Sequence, residues 1–356
     1  MKLSVERSTS FSKGRMGACV LFDRFGRPVT GVRISLNPST FCNFNCIFCH
    51  CEGIFEEPKD IMGADEIQRI TRVLTRFGVD VAKLTGGEPM LRRDIVDVVQ
   101  KLGELPLREL SMTTNGTKLV ELADKLKDKG LDRVNISLHS LREERFKFIT
   151  GVARLDYTIK AIRRAVEVGL TPVKLNVVVI RGVNEDEVDD IVNFASSLGG
   201  GEKAKVQFIE LVAEGSADAS IYNKFHTDLS AIEERFRRIA VEEKVRQLHL
   251  RHQYLLPNGV WVEVVKPMHN SAFCMADNRI RITYNGRFKL CLLREDNQVD
   301  FLSAMRNGAD DEALAELFKR AVWLREPFFK PKEAKEDACC SLRLGELSSS
   351  STPPLS

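Results

Sequence analysis

The chain has 356 residues, 43% hydrophobic and 29% charged, with 53 Lys and Arg against 50 Asp and Glu and a formal net charge of +3. That balance excludes a disordered acidic or polybasic chain, and basic residues spread along the sequence offer no continuous surface for nucleic acid. No apolar run approaches the roughly 18 residues of a membrane span and the first residues lack the apolar stretch of a signal peptide, so a cytoplasmic protein is expected.

Residues 1–20 are polar and weakly patterned and read as an N-terminal extension, with Met16 as an alternative start. Beyond them, β-rich runs at 32–36, 81–85, 110–114, 133–138, 173–180 and 206–211 alternate with helix-period segments near 64–77, 93–103, 117–130, 154–168 and 186–198. Such alternation predicts a parallel sheet with right-handed crossovers. Six units are fewer than the roughly eight that close a full barrel, so an open, partial (β/α)6 barrel is expected over 21–225. The rhythm then changes to a helix at 227–243, β-like runs RIRITY and RFKLCLL joined by the hairpin signal Asn285-Gly286, and a last helix near 310–324. This predicts a smaller α+β module over 226–330, packed on the barrel, and the Ser/Pro-rich end reads as a flexible tail over 331–356.

Nine cysteines in a chain of this length are too sparse for a disulfide scaffold, so their clustering points to metal or redox chemistry. Cys42, Cys46 and Cys49 stand as Cys-x3-Cys-x2-Cys in FCNFNCIFCHCEG, directly after the first predicted strand, where a loop faces the usual ligand mouth. Three thiolates on one loop can hold one inorganic centre. A structural zinc needs about four closed ligands, whereas an iron-sulfur cluster held by three leaves an iron open to a substrate or cofactor. A zinc knuckle completed by His50 or Cys51 is the competing reading, and it would make the chain a non-enzymatic metal-binding module. Cys19, Cys51, Cys339 and Cys340 carry no assigned role.

The cysteine loop, taken with Thr85-Gly86-Gly87-Glu88-Pro89 at the end of the second strand, resembles the radical S-adenosylmethionine (SAM) superfamily. LTGGEPMLR, MTTNGTKL, DRVNISLHS, FKFITGV, VKLNVVVIRGVNEDE and VQFIEL further resemble its GTP 3',8-cyclase (molybdenum cofactor biosynthesis protein A) family, over about residues 21–330. The resemblance implies a catalytic [4Fe-4S] cluster on Cys42, Cys46 and Cys49 that cleaves SAM reductively. It implies SAM contacts at Phe48, Gly86, Gly87, Glu88, Ser137 and Val212, and GTP contacts at Arg33, Lys83, Thr113, Lys174, Arg279 and Arg281. It also implies a second [4Fe-4S] cluster, because FCMADNRIRITYNGRFKLCLL looks like the family's Cys-x2-Cys-x13-Cys segment, with Cys274 and Cys291 outermost and Asp277 in the middle position. A carboxylate is a harder donor than a thiolate but can bind iron, so Asp277 is expected to complete the metal set.

Several further departures bear on the substrate. The loop from Arg33 to Cys42 is two residues longer than the family's usual spacing, Gln207 stands where many members carry Arg, and the end lacks the family's double glycine. The implied reaction is abstraction of the ribose 3' hydrogen of GTP and attack on guanine C8. Its product, (8S)-3',8-cyclo-7,8-dihydroguanosine 5'-triphosphate, belongs to the first step of molybdenum cofactor biosynthesis. The implied partners are an electron donor and a downstream cyclic pyranopterin monophosphate synthase, with no nucleic acid or membrane and with a homodimer allowed. The alternative enzyme reading is a radical SAM protein with an auxiliary cluster acting on a peptide or another nucleotide.

Overall fold

The computed structural model describes residues 19–54, 60–212 and 219–330. The extension before residue 19 and the tail from residue 331, with Cys339 and Cys340, lie outside the described residues.

Six strands form the barrel wall: β1 (Gly31–Ser35), β2 (Val81–Thr85), β3 (Glu109–Thr114), β4 (Arg133–Ser137), β5 (Val173–Val178) and β6 (Ala204–Ile209). They pair in chain order, each parallel to the next. The helices α1 (Ala64–Thr75), α2 (Ile95–Gly103), α3 (Leu119–Asp128), α4 (Glu143–Thr150), α5 (Leu155–Glu167) and α6 (Val188–Ser197) lie between and after them. Strand alternation decides what faces where: Val32, Ile34, Ala82 and Leu84 go into the apolar core, while Arg33 and Lys83 between them line the interior cavity. The helices answer with an apolar stripe, as in α1, where Ile67, Ile70, Val73 and Leu74 are buried at helical spacing. Each such side chain contributes about 1.5–3 kcal/mol relative to exposure.

The C-terminal part contains α7 (Ala219–Phe225), α8 (Ser230–Ile239), β7 (Glu242–Val245), β8 (His252–Leu255), β9 (Trp261–Val265) and α9 (Ser271–Met275). It continues through β10 (Arg279–Ile282), β11 (Arg287–Lys289), β12 (Val299–Asp300), α10 (Leu302–Arg306) and α11 (Asp311–Leu324). Its strands extend the barrel sheet at both ends: β9 pairs parallel to β6, and β10 pairs parallel to β1, giving one sheet in the order β12-β11-β10-β1-β2-β3-β4-β5-β6-β9-β8-β7. The expected hairpin is present as antiparallel β10 and β11. The last helix starts where Asp310 accepts a bond from the Ala313 amide at 2.8 Å, and its Phe318 meets Phe77 beyond α1 at 5.7 Å between ring centres.

Two expectations change. The helix read over 227–243 stops at Ile239, because Ala240 turns extended and residues 242–245 pair with β8 as an edge strand. Helix α4 was not read from the sequence; its short FKFIT core is rich in aromatic and β-branched residues, which hide helical propensity. Among the described residues, no helix is long and apolar enough to cross a membrane.

Candidate active site

A cavity of about 720 Å³ lies inside the barrel, and all the residues expected to bind metal, SAM or GTP line it. They come from two levels. Cys42, Cys46, Phe48 and Cys49 follow β1, Gly86, Gly87 and Glu88 follow β2, Ser137 ends β4 and Val212 follows β6, which sets them at the C-terminal rim. Arg33, Lys83, Thr113, Lys174, Arg279 and Arg281 lie within the strands, deeper in the wall.

The cysteine loop is anchored by α4. The last carbonyls of a helix lack intrahelical partners, and here Thr150 O accepts from the Asn45 amide at 2.9 Å and Ile149 O from the Ile47 amide at 3.0 Å. Phe44 packs edge-on against Phe146 of α4 at 5.9 Å. The backbone between Cys42 and Cys49 is thereby held while three soft donors face the cavity, the donor chemistry an iron-sulfur centre requires. Burial pushes the Cys46 thiol up to about 12 and raises Cys42 as well, so thiolates at these positions need a bound cation. Cys49 is raised too, first by its hydrogen bond with Cys51, whose Sγ lies 4.0 Å away. His50 Nδ1 accepts the Glu52 amide at 3.1 Å, which turns that nitrogen to the loop's own backbone and away from a zinc knuckle.

The Gly-Gly-Glu segment serves the chain itself. A Cβ on Gly87 would lie 2.6 Å from Phe41 O, and one on Gly86 2.7 Å from Asn37 O, so the glycines admit the turn that leads into the cysteine loop. Glu88 is buried and accepts from Thr114 Oγ1 and the Asn115 amide, each at 2.7 Å, and from the Met90 amide at 3.0 Å. Burial raises its pKa, and those bonds pull the other way.

The cavity wall is cationic. Arg33 stands in register with Lys83 on one side and Arg281 on the other, and Asn135 with Lys174. Lys83 Nζ donates to Asn135 Oδ1 at 3.2 Å, an oxygen it shares with Arg133. Burial drives the Lys83 pKa well below the ordinary lysine value, and Arg133, Lys174 and Arg33 add to the push. Lys174 is depressed by burial against the pull of Glu263, 3.6 Å away, and burial brings Arg279 down to about 9. Such a concentration of basic side chains favours a polyanion. Gln207 also lines the cavity and adds no charge.

Cys274 and Cys291 reach the same cavity from α9 and from beyond β11. Asp277 stands between them in sequence, and its Oδ1 meets His249 Nε2 at 3.1 Å and the Arg279 amide at 3.3 Å. Its Oδ2 lies 3.6 Å from Arg325 Nη2. Burial would raise the Asp277 pKa, but His249, Arg279 and Arg325 outweigh it and hold the carboxylate ionised. Both oxygens of the ionised carboxylate thus have partners within the chain, one in His249 and the Arg279 amide and the other in Arg325.

Reasoning from sequence missed several cavity residues. Arg133 and Asn135 had a legible signal, the period-2 alternation of RVNIS. His249, Arg246 and Arg251 come from the connection between β7 and β8 and carried none. Glu52 follows the cysteine loop directly; it is buried and binds Arg33 at 2.5 Å and Arg281 at 2.9 Å.

Residues 36–195 match the Radical SAM superfamily profile and residues 204–331 the profile Molybdenum Cofactor Synthesis C. The chain is 47% identical over 315 residues to a probable GTP 3',8-cyclase of Thermococcus kodakarensis, covering 87% of this chain and 100% of that one. A probable GTP 3',8-cyclase of Saccharolobus islandicus is 44% identical over 316 residues, covering 88% of this chain and 100% of its own length. Among solved structures, Streptococcus suis SuiB bound to S-adenosylmethionine superposes with a TM-score of 0.55 at 20% identity, over 74% of this chain and 60% of that chain. At that identity the likeness is one of fold.

Proposed function

The chain belongs to the GTP 3',8-cyclase family of radical SAM enzymes, and on that footing we propose how its residues divide the work of converting GTP to (8S)-3',8-cyclo-7,8-dihydroguanosine 5'-triphosphate. Cys42, Cys46 and Cys49 would hold the SAM-binding cluster, and Cys274, Asp277 and Cys291 would hold a second one. When bound, the first cluster and SAM supply the radical that removes the ribose 3' hydrogen. Phe48 flanks the adenine, and Gly86, Gly87, Ser137 and Val212 border the rest of SAM, with Glu88 fixing the rim from below. Lys83, Lys174, Arg279 and Arg281 take the triphosphate, Arg33 sits beside it, and Thr113 donates a hydroxyl. The walls exclude water from the radical, and no side chain is needed as general acid or base.

The observation that carries this reading is a single cavity with three cysteines of one loop at its rim and Lys83, Lys174, Arg279 and Arg281 in its wall. The electron donor and the synthase that consumes the product complete the proposed setting. The test is anaerobic formation of 5'-deoxyadenosine by iron-sulfide-reconstituted protein with SAM and dithionite, with and without GTP. A GTP-stimulated rate, with deuterium moving from 3'-labelled GTP into 5'-deoxyadenosine, is the expected result. Cleavage indifferent to GTP removes the substrate assignment.

A further inference from the structure

We propose that Glu52 is an internal stand-in for a substrate phosphate: it occupies the guanidinium groups of Arg33 and Arg281 until a ligand rich enough in negative charge displaces it. Arg33 spends its fork on this carboxylate, Nε to Oε2 at 3.1 Å and Nη2 to Oε1 at 2.5 Å. Arg281 Nη1 reaches Oε2 at 2.9 Å, and Thr85 Oγ1 donates to Oε1 at 2.9 Å. Guanidinium forks fit carboxylate and phosphate alike, so a phosphate can use the Arg33 fork only by taking the place of Glu52.

The backbone that presents Glu52 suits a displaceable group. Cys51 and Glu52 are consecutive non-glycine residues in the left-handed region, with φ of 51° and 53°, a conformation that side chains disfavour. That conformation is held against strain by the ion pairs at its tip. Glu52 stands three residues beyond Cys49, so its release frees the end of the cysteine loop, and anion binding in the wall is coupled to the rim.

The consequence is a charge threshold. A monophosphate gains little by replacing one bound anion with another, whereas a triphosphate brings charge for Lys83 and Arg279 as well. The inference rests on the reading of the wall as a triphosphate site and is independent of the base and sugar attached.

The experiment uses the full chain with its cluster loaded and follows binding of inorganic tripolyphosphate and orthophosphate by calorimetry in wild type, Glu52→Gln and Glu52→Asp. Glu52→Gln keeps the shape and removes the charge. It is expected to bind tripolyphosphate about ten-fold tighter and to narrow the preference over orthophosphate, the order of one hydrogen bond to a charged group. Glu52→Asp is expected to keep the wild-type preference, and the visible cluster absorbance to be the same in all three. Weaker or unchanged tripolyphosphate binding by Glu52→Gln overturns the proposal, because a strut that merely positions Arg33 and Arg281 loses affinity when its charge goes. If Glu52→Gln fails to load its cluster, Thr85→Val, which removes the hydroxyl that donates to Oε1 and leaves the Arg33 fork intact, is read in the same way: tighter binding supports displacement, and weaker or unchanged binding overturns it. Failure of GTP to stimulate SAM cleavage, with tripolyphosphate still bound more tightly by Glu52→Gln, removes the nucleotide assignment and leaves this inference standing.

Discussion

The two thiol sites of the cavity are built on opposite plans. Cys42, Cys46 and Cys49 come from one short loop whose backbone is clamped by the end of α4, so local sequence brings them together. Cys274, Asp277 and Cys291 come from α9, the turn after it and the far side of the β10–β11 hairpin, so their place on one cavity wall depends on the finished sheet. The first site has three equivalent soft donors. The second has two and a carboxylate whose charge is shared with His249, Arg279 and Arg325. A compact set tolerates disturbance of the fold around it, whereas a dispersed one inherits every disturbance.

The sharpest break in that comparison is Cys46→Ser, expected to remove the rim cluster and all SAM cleavage while the second site keeps its iron, as read by iron analysis and 5'-deoxyadenosine assay. Asp277→Ala is expected to do the converse, lowering reconstituted iron from about eight toward about four atoms per chain with SAM cleavage retained. Equal iron in Asp277→Ala and wild type would show that the carboxylate is no ligand. Asp277→Cys should restore full iron and alter the electron paramagnetic resonance signal of the second centre.

A smaller effect is expected in the wall between the two sites. Lys83→Met should raise the KM for GTP about ten-fold, a loss of ~1.4 kcal/mol, with SAM cleavage in the absence of GTP unaffected. The pH dependence has a definite sign. Burial depresses the pKa values of Lys83 and Lys174 in the free protein, and a bound polyanion raises them again. Triphosphate binding therefore takes up protons between the depressed and restored values, and affinity falls as pH rises through that window. Calorimetry in two buffers of different ionisation enthalpy reads the uptake directly. The least effect is expected from Phe146→Leu, which trims the ring under Phe44 and should slow cluster assembly on the rim loop by a few-fold, with the second site unaffected.

The barrel was legible because its strands carry clean alternation and its helices a clear apolar stripe, and the rim because three cysteines and Gly-Gly-Glu are local words. Glu52 was not, since nothing in CHCEG says that a glutamate will turn inward; only the left-handed backbone at Cys51 and Glu52 sends it to Arg33. His249 was hidden for a related reason, as its tie to Asp277 spans 28 residues and exists only once β8 and β10 occupy opposite ends of the sheet. The resemblance implied ligand contacts at Gly86 and Gly87; both line the cavity, and the lack of a side chain there also leaves room for the chain's own segment from Asn37 to Phe41.

The shared sheet has a bearing on how the gene can be divided. The segment matching the superfamily profile ends before β6, and the strands that cover the flanks of the barrel, β9 and β10, both come from the segment after it. Cut between the two, the N-terminal piece would present parallel edges with open backbone donors and acceptors on each side, a surface that invites aggregation. The chain is thus a clasp closed from both ends by its last third, and two halves made separately would have to find each other by strand pairing before either could stay in solution.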